Sequence, residues 1–160
     1  MTNPNTLPYR PCAGVMLLNQ YKQIFVGKRI DMPSEHWQMP QGGIDEGETS
    51  LEAARRELLE EIGTDNATLI AEHEDWLQYD LPDHLIGKVW KGKYRGQKQK
   101  WFLFSFEGSD TEINLETEHP EFCDWKWTDT NSLINQIVPF KRDLYKQIVN
   151  HFESFLTPPK

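Results

Sequence analysis

The stretch Gly42–Thr64 reads GGIDEGETSLEAARRELLEEIGT and dictates a glycine turn followed by a helix. Thr49 and Glu52 form a capping box, in which the hydroxyl accepts one orphan N–H and the carboxylate reaches back to another. A helix is therefore predicted to start near Ser50. Gly63 stops it, because glycine enters the left-handed conformation without a Cβ penalty. Leu51, Ala54, Leu58 and Ile62 recur at three and four residues and predict one buried stripe. Glu57, Glu60 and Glu61 fall in one sector flanking that stripe. Like charges at this spacing destabilise a helix by roughly a few tenths of a kcal/mol per pair. Arg56 pairs naturally with Glu60 one turn on, and a hard divalent cation with oxygen ligands is the obvious neutraliser of the remainder. On spacing alone a solvated acidic face is the favoured reading of the cluster. The Gln41-Gly42-Gly43 turn just before it, whose backbone can approach a ligand closely, shifts the balance toward a site.

The chain has 160 residues, 38% of them hydrophobic, enough for one proper core. Its net charge of −8 argues against non-specific nucleic-acid binding, and no DNA partner is expected. An acidic protein that handles phosphates needs metal ions or a local basic patch. Cys12 and Cys123 each adjoin apolar or aromatic residues, outside any CxxC or Cys/His arrangement, and both read as buried thiols without a disulfide framework. Met1–Leu7 is polar and reads as frayed. With no apolar leader and no long apolar run, the expected compartment is a reducing cytoplasm, with no membrane association.

Along the chain, Cys12–Leu18 and Ile24–Lys28 read as strands of a hairpin about Asn19-Gln20. Arg29 sits at the strand end, and Asp31–His36 is a loop. Ala67–Tyr79 has strand composition, broken by Leu81-Pro82-Asp83. Lys88–Lys100, KVWKGKYRGQKQK, inverts the local charge and interleaves Trp90 and Tyr94 with bases. That combination suits phosphate contact and base stacking, and suits a solvated basic loop equally well. Trp101–Phe106 and Phe122–Trp127 are strands flanking an acidic loop. Asp129 or Thr130 caps a short helix through Ile137, Pro139 interrupts it, and Lys141–Leu156 is a long amphipathic helix. No linker or repeat divides the chain, so residues 1–160 read as a single domain, with 1–8 flexible.

Gly42, five residues, Glu48, seven residues, Arg56-Glu57-Leu58, one residue, Glu60-Glu61, one residue, Gly63: this pattern resembles the Nudix box of hydrolases that act on nucleoside diphosphates linked to another moiety. Thr64 departs from it, standing where the pattern favours an aliphatic residue. Outside the box, Tyr9-Arg10-Pro11, Trp37–Gly43, Gly96–Phe102, Pro120-Glu121-Phe122 and Phe140-Lys141-Arg142 are similar to bacterial RNA pyrophosphohydrolases, a group that also contains dinucleoside polyphosphate hydrolases. The resemblance runs from Tyr9 to Phe152.

The resemblance implies an α/β fold: an α/β/α sandwich with a mixed β-sheet and a loop-helix-loop catalytic motif. It implies hydrolysis of the 5′-triphosphate end of RNA to leave a 5′-monophosphate, a step that opens RNA decay. The alternative is hydrolysis of dinucleoside polyphosphates such as diadenosine tetraphosphate. A catalytically silent nucleotide sensor is disfavoured, because carboxylates stand at 57, 60 and 61. Two or more Mg²⁺ ions, or Mn²⁺ or another divalent cation, are expected on Glu57 and Glu61, with Glu60 contributing and a carbonyl of the Gln41–Gly43 turn completing a site. Glu121 is a further ligand or the general base. Gly42, Glu48 and Arg56 shape the motif, Arg56 holding Glu60 and Glu48 tying the loop. Arg10, Lys98 and Lys100 bind the 5′ phosphates. Arg29 and Phe140 sandwich a base, and Val138 and Lys141 border that pocket.

Overall fold

Apolar residues on both faces of its strands require this sheet to be covered twice, and it is. The computed structural model describes residues 7–30, 36–118 and 120–156. Strands β1 (Tyr9–Leu18) and β2 (Ile24–Arg29) form the expected hairpin. After β3 (Gln41–Gly43) and helix α1 (Ser50–Ile62) come β4 (Ala67–Glu72), β5 (Leu77–Asp80), β6 (Gly96–Phe106) and β7 (Phe122–Thr128). Helices α2 (Thr130–Gln136) and α3 (Arg142–Leu156) close the chain, separated by a 3-10 turn at Pro139–Lys141. The expectations for Met1–Leu7, Asp31–His36 and Thr157-Pro158-Pro159 fall largely outside the described residues, as does the side chain of Trp90.

The sheet runs β4-β6-β1-β2-β7, with β1 and β6 parallel at its centre and antiparallel pairings around them. It is a mixed sheet between helices, as an α/β sandwich requires. Both central strands change partners along their length. The first half of β1 pairs with β3 through Cys12–Gly14, and its last residue, Leu18, pairs with Ile24 of β2. The first half of β6 pairs with β5 and its second half with β4. The glycine turn and the starts of β1 and β6 therefore meet at one end of the sheet.

Period-two alternation sorts the two cores. Val15, Leu17, Phe102 and Phe104 pack under α1, against Ala53, Ala54, Leu58 and Ile62. Met16, Leu18, Trp101 and Leu103 face the other way, under Leu133 of α2 and Leu144, Tyr145, Ile148 and Phe152 of α3. Burying each such side chain contributes roughly 1.5–3 kcal/mol.

Several sequence expectations are corrected. Gln41–Gly43 is a short strand paired to β1, because its glycines allow close approach to that edge. The Ala67–Tyr79 segment is two strands broken at His73–Trp76. The last residues of the basic tract belong to β6. Leu51 is only half-buried, while Ala53 joins the buried stripe of α1. Cys12 is buried, but Cys123 is exposed and its Sγ reaches the Lys28 carbonyl at 3.5 Å.

Candidate active site

The capping box forms as read: Thr49 Oγ1 accepts from the Glu52 N–H at 3.1 Å, and Glu52 accepts from the Thr49 N–H at 3.0 Å. Gly63 ends α1 at φ 78°. This phase turns Glu57 and Glu61 inward, to 5% and 1% exposure, beside the apolar stripe rather than outside it. Glu60 points outward. A Cβ on Gly42 would land on the Glu57 carboxyl, so glycine is required for that carboxylate to lie against β3.

Arg56 is the hub of the motif. Its guanidinium donates to both oxygens of Glu48 at 2.8 and 3.0 Å, to Glu57 at 2.9 Å, to Glu60 at 3.0 Å and to the Gly43 carbonyl at 2.8 Å. Glu48 also accepts from the Asp45 N–H at 3.0 Å, tying the loop to the helix. The expected Arg56–Glu60 and Glu48–loop contacts are present, and the Gly43 carbonyl is engaged by Arg56. The Arg56 hydrogen bond holds the Glu48 carboxyl below the usual carboxylate range, and the same bond raises Arg56.

Glu121, exposed ahead of β7, comes in from the far side. A register shift between Lys28 and Arg29 sets Arg29 opposite Phe122, and the Ile30 N–H binds the Glu121 carbonyl at 2.9 Å. One carboxylate oxygen from each of Glu57, Glu61 and Glu121 lies within 4.8 Å of the others. Among the described residues, neither Glu61 side-chain oxygen has a hydrogen-bond partner, although both are buried. Burial pushes Glu61 well above the usual carboxylate range, and the nearby Glu121 and Glu57 carboxyls push it further. Burial likewise raises Glu57. A buried carboxylate with two unsatisfied oxygens, among carboxylates, is costly by itself and fits a hard divalent cation with oxygen ligands.

Beside these carboxylates opens a cleft of about 230 Å³, lined in part by Arg10, Arg29, Gln41, Gln97, Glu121 and Lys141. Lys141 is nearly buried, and burial followed by the charge of Arg29 pulls its amine down to about 8. Its Nζ lies 5.3 Å from the centre of the Tyr79 ring and 5.9 Å from that of Phe140.

A model of the NUDIX domain matches residues 8–148. The chain belongs to the Nudix family. Among its relatives, an RNA pyrophosphohydrolase of Roseobacter denitrificans is 55% identical over 94% of this chain and 95% of its own. An RNA pyrophosphohydrolase of Rickettsia prowazekii is 54% identical over 94% and 93%. Among solved Nudix folds, the dihydroneopterin triphosphate pyrophosphohydrolase of E. coli superimposes with a TM-score of 0.66 at 24% identity, covering 90% of this chain and 99% of that one. The Ap4A hydrolase of C. elegans gives 0.65 at 22% identity, covering 91% and 99%.

Around the Nudix box, the structure brings together Gly42, Arg56, Glu57, Glu121, Arg10, Arg29 and Lys141 on one cleft. Glu61, buried, and Glu60, exposed, are not among its lining residues. Phe140 packs against Tyr79 with ring centres 5.8 Å apart, beside Lys141, and Val138 packs into the core before the Pro139–Lys141 turn. Lys98 and Lys100 are not among the cleft-lining residues. Lys98 Nζ lies 5.3 Å from the centre of the Trp76 ring, and Lys100 Nζ donates to the Glu74 carbonyl at 2.7 Å. Strand alternation explains it: Gln97, Gln99 and Trp101 share one face of β6, and the lysines take the other. Gln97 and Asp45 are cleft residues that sequence reading missed; for Gln97, that alternation, counted back from Trp101, was the available signal.

Proposed function

We propose that this protein hydrolyses the 5′-triphosphate end of RNA to a 5′-monophosphate, initiating RNA decay in the cytoplasm, and that residues 1–160 form one Nudix hydrolase domain. The reading rests on the near-full-length relatives that carry that activity in their name. The cleft supplies its chemistry. Arg10, Arg29 and Lys141 give cationic walls for a polyphosphate. Glu57, Glu61 and Glu121 would hold divalent cations, Mg²⁺ or Mn²⁺, with Glu60 contributing. When bound, such ions neutralise phosphate charge and lower the pKa of water.

Water attacks the phosphorus that stays on the RNA, its anhydride bond to the next phosphate breaks with pyrophosphate leaving, and Glu121, the exposed carboxylate of the group, takes the water's proton. Arg56 fixes Glu57 and Glu60, so the carboxylates need little reorganisation during the step. Arg29 and Phe140 sandwich the first base, with Val138 bordering the pocket. Lys98 and Lys100, facing away from the cleft, are assigned to RNA backbone beyond the 5′ end.

The test is kcat/KM for 5′-triphosphorylated RNA and for diadenosine tetraphosphate, measured in parallel with Mg²⁺. A large preference for RNA is expected. A large preference for the dinucleotide would make this a nucleotide-clearing hydrolase.

A further inference from the structure

β6 carries a row of buried polar groups that the reaction as described does not use. Gln97, Gln99 and Trp101 stand at alternate positions and share one face of the strand. All are essentially inaccessible, at 1%, 1% and 0% exposure. The Trp101 indole N–H donates to Gln99 Oε1 at 2.7 Å, and Gln99 Nε2 donates to Gln97 Oε1 at 2.7 Å. Gln97 lines the cleft, next to Arg10, its partner in the β1–β6 register.

The direction of this chain is not free. A carboxamide can ordinarily flip, exchanging donor for acceptor. An indole N–H can only donate. Trp101 therefore fixes Gln99 with its oxygen toward the indole and its nitrogen toward Gln97. That nitrogen in turn fixes Gln97 with its oxygen turned inward. What Gln97 has left for the cleft is its N–H₂, a donor. A flipped Gln97 would set two donors face to face in a dry site, which costs the desolvation of both without a hydrogen bond in return. We propose that Trp101, Gln99 and Gln97 form a one-way amide relay that presents a neutral hydrogen-bond donor to a substrate phosphate oxygen, with Gln99 as a positioning residue acting solely through Gln97.

The proposal rests on the polyphosphate-hydrolase reading above, and it adds a recognition element that does not depend on charge. Arg10 and Arg29 attract any anion. A donor held in one orientation favours an acceptor oxygen at one place and disfavours a substrate group that itself donates there.

The experiment is a double-mutant cycle on KM and kcat, using Gln97→Met, Gln99→Met and the double variant. The cycle uses 5′-triphosphorylated RNA, or diadenosine tetraphosphate if the wild type turns over that substrate instead. Substrate choice by the wild type judges the functional reading, whereas the cycle judges the relay on either substrate. Q97M should raise KM about tenfold, the scale of one hydrogen bond to a charged acceptor. Q99M should raise KM about threefold in the wild-type background, through loss of orientation, and should add nothing in the Q97M background. Equal KM effects of Q99M in both backgrounds, or an unchanged KM in Q97M, would overturn the relay. Should Q99M not accumulate as folded protein, Gln97→Glu probes the same orientation from the cleft side. Gln99 still donates to one carboxylate oxygen and the other faces the phosphates, so KM must rise beyond that of Q97M. A KM at or below the Q97M value would overturn the proposal.

Discussion

The acidic run on α1 and the basic run at the head of β6 are both clusters of like charge, and the fold sorts their members by opposite rules. On α1, a helical period of 3.6 turns Glu57 and Glu61 inward and leaves Glu60 outside, held by Arg56 at 3.0 Å. The buried pair is the one brought to Glu121, with an oxygen of each within 4.8 Å of the others. On β6, a period of two leaves Lys98 and Lys100 off the cleft lining and turns their neutral neighbours inward, Gln97 to line the cleft and Gln99 to bond behind Gln97. Counting charge along a segment therefore locates neither site. Assigning the period first, and then asking which face is buried, locates both.

The sharpest way to break this comparison is to remove the inward acid. Glu61→Gln keeps the shape and deletes the charge. Turnover should fall on the order of a thousandfold, the scale of losing one preorganised charge-stabilising group. In EDTA the same variant should melt higher than the wild type at pH 7, because it no longer buries an unsatisfied carboxylate. The sign follows from linkage. Glu57 and Glu61 have folded values above the unfolded carboxylate value of about 4.3. The folded state then binds more protons above that pH, so their stabilising contribution is complete below it and is lost as pH rises through the folded values. Metal-free wild type should lose melting temperature as pH rises from about 5, and Glu61→Gln should flatten most of that slope. Glu48, shifted the other way by Arg56, works in the opposite sense at more acidic pH. Thermal scans across pH, with and without divalent cation, read both.

A second, smaller effect concerns the nearly buried amine of Lys141. Lys141 should lose its proton as pH rises through about 8, well below an ordinary lysine. Since kcat/KM reports the free enzyme, it should fall along that limb. Lys141→Met should remove the limb and lower the plateau about tenfold. A wild-type profile flat to pH 9.5 would contradict the placement of this amine against the substrate.

The smallest effect belongs to the outward bases. Lys98→Ala and Lys100→Ala should each change kcat/KM by less than about threefold on a short triphosphorylated substrate, as exposed charges usually do. Arg10→Ala should cost about tenfold. Comparable losses at Lys98 and Arg10 would restore the lysines to the 5′ phosphates and undo the contrast between the two runs.

Much of this was legible in the sequence, and the unread part has physical reasons. Thr49, Glu52 and Gly63 act through local backbone bonds, so the bounds of α1 follow from those residues directly. The Arg56–Glu60 pair is a single helical turn and was equally readable. Glu57 and Glu61 read as flanking the buried stripe, because nothing local says that β3 lies against Glu57 or that Glu61 is buried. Gln41–Gly43 read as a loop, since its strand character exists only through pairing with Cys12–Gly14. Lys98 and Lys100 lie off the cleft lining, which the sequence did not show for a different reason. The composition of the basic tract suggested a loop, and a loop has no alternation to separate lysine from glutamine.

The central claim is that the inward pair, and not the outward acid, anchors the divalent cation. Calorimetric titration of Mn²⁺ into wild type, Glu61→Gln and Glu60→Gln tests it without reference to any substrate. Glu61→Gln should abolish the tightest site, whereas Glu60→Gln should weaken it by no more than about tenfold. Loss of that site in Glu60→Gln with retention in Glu61→Gln would contradict the account.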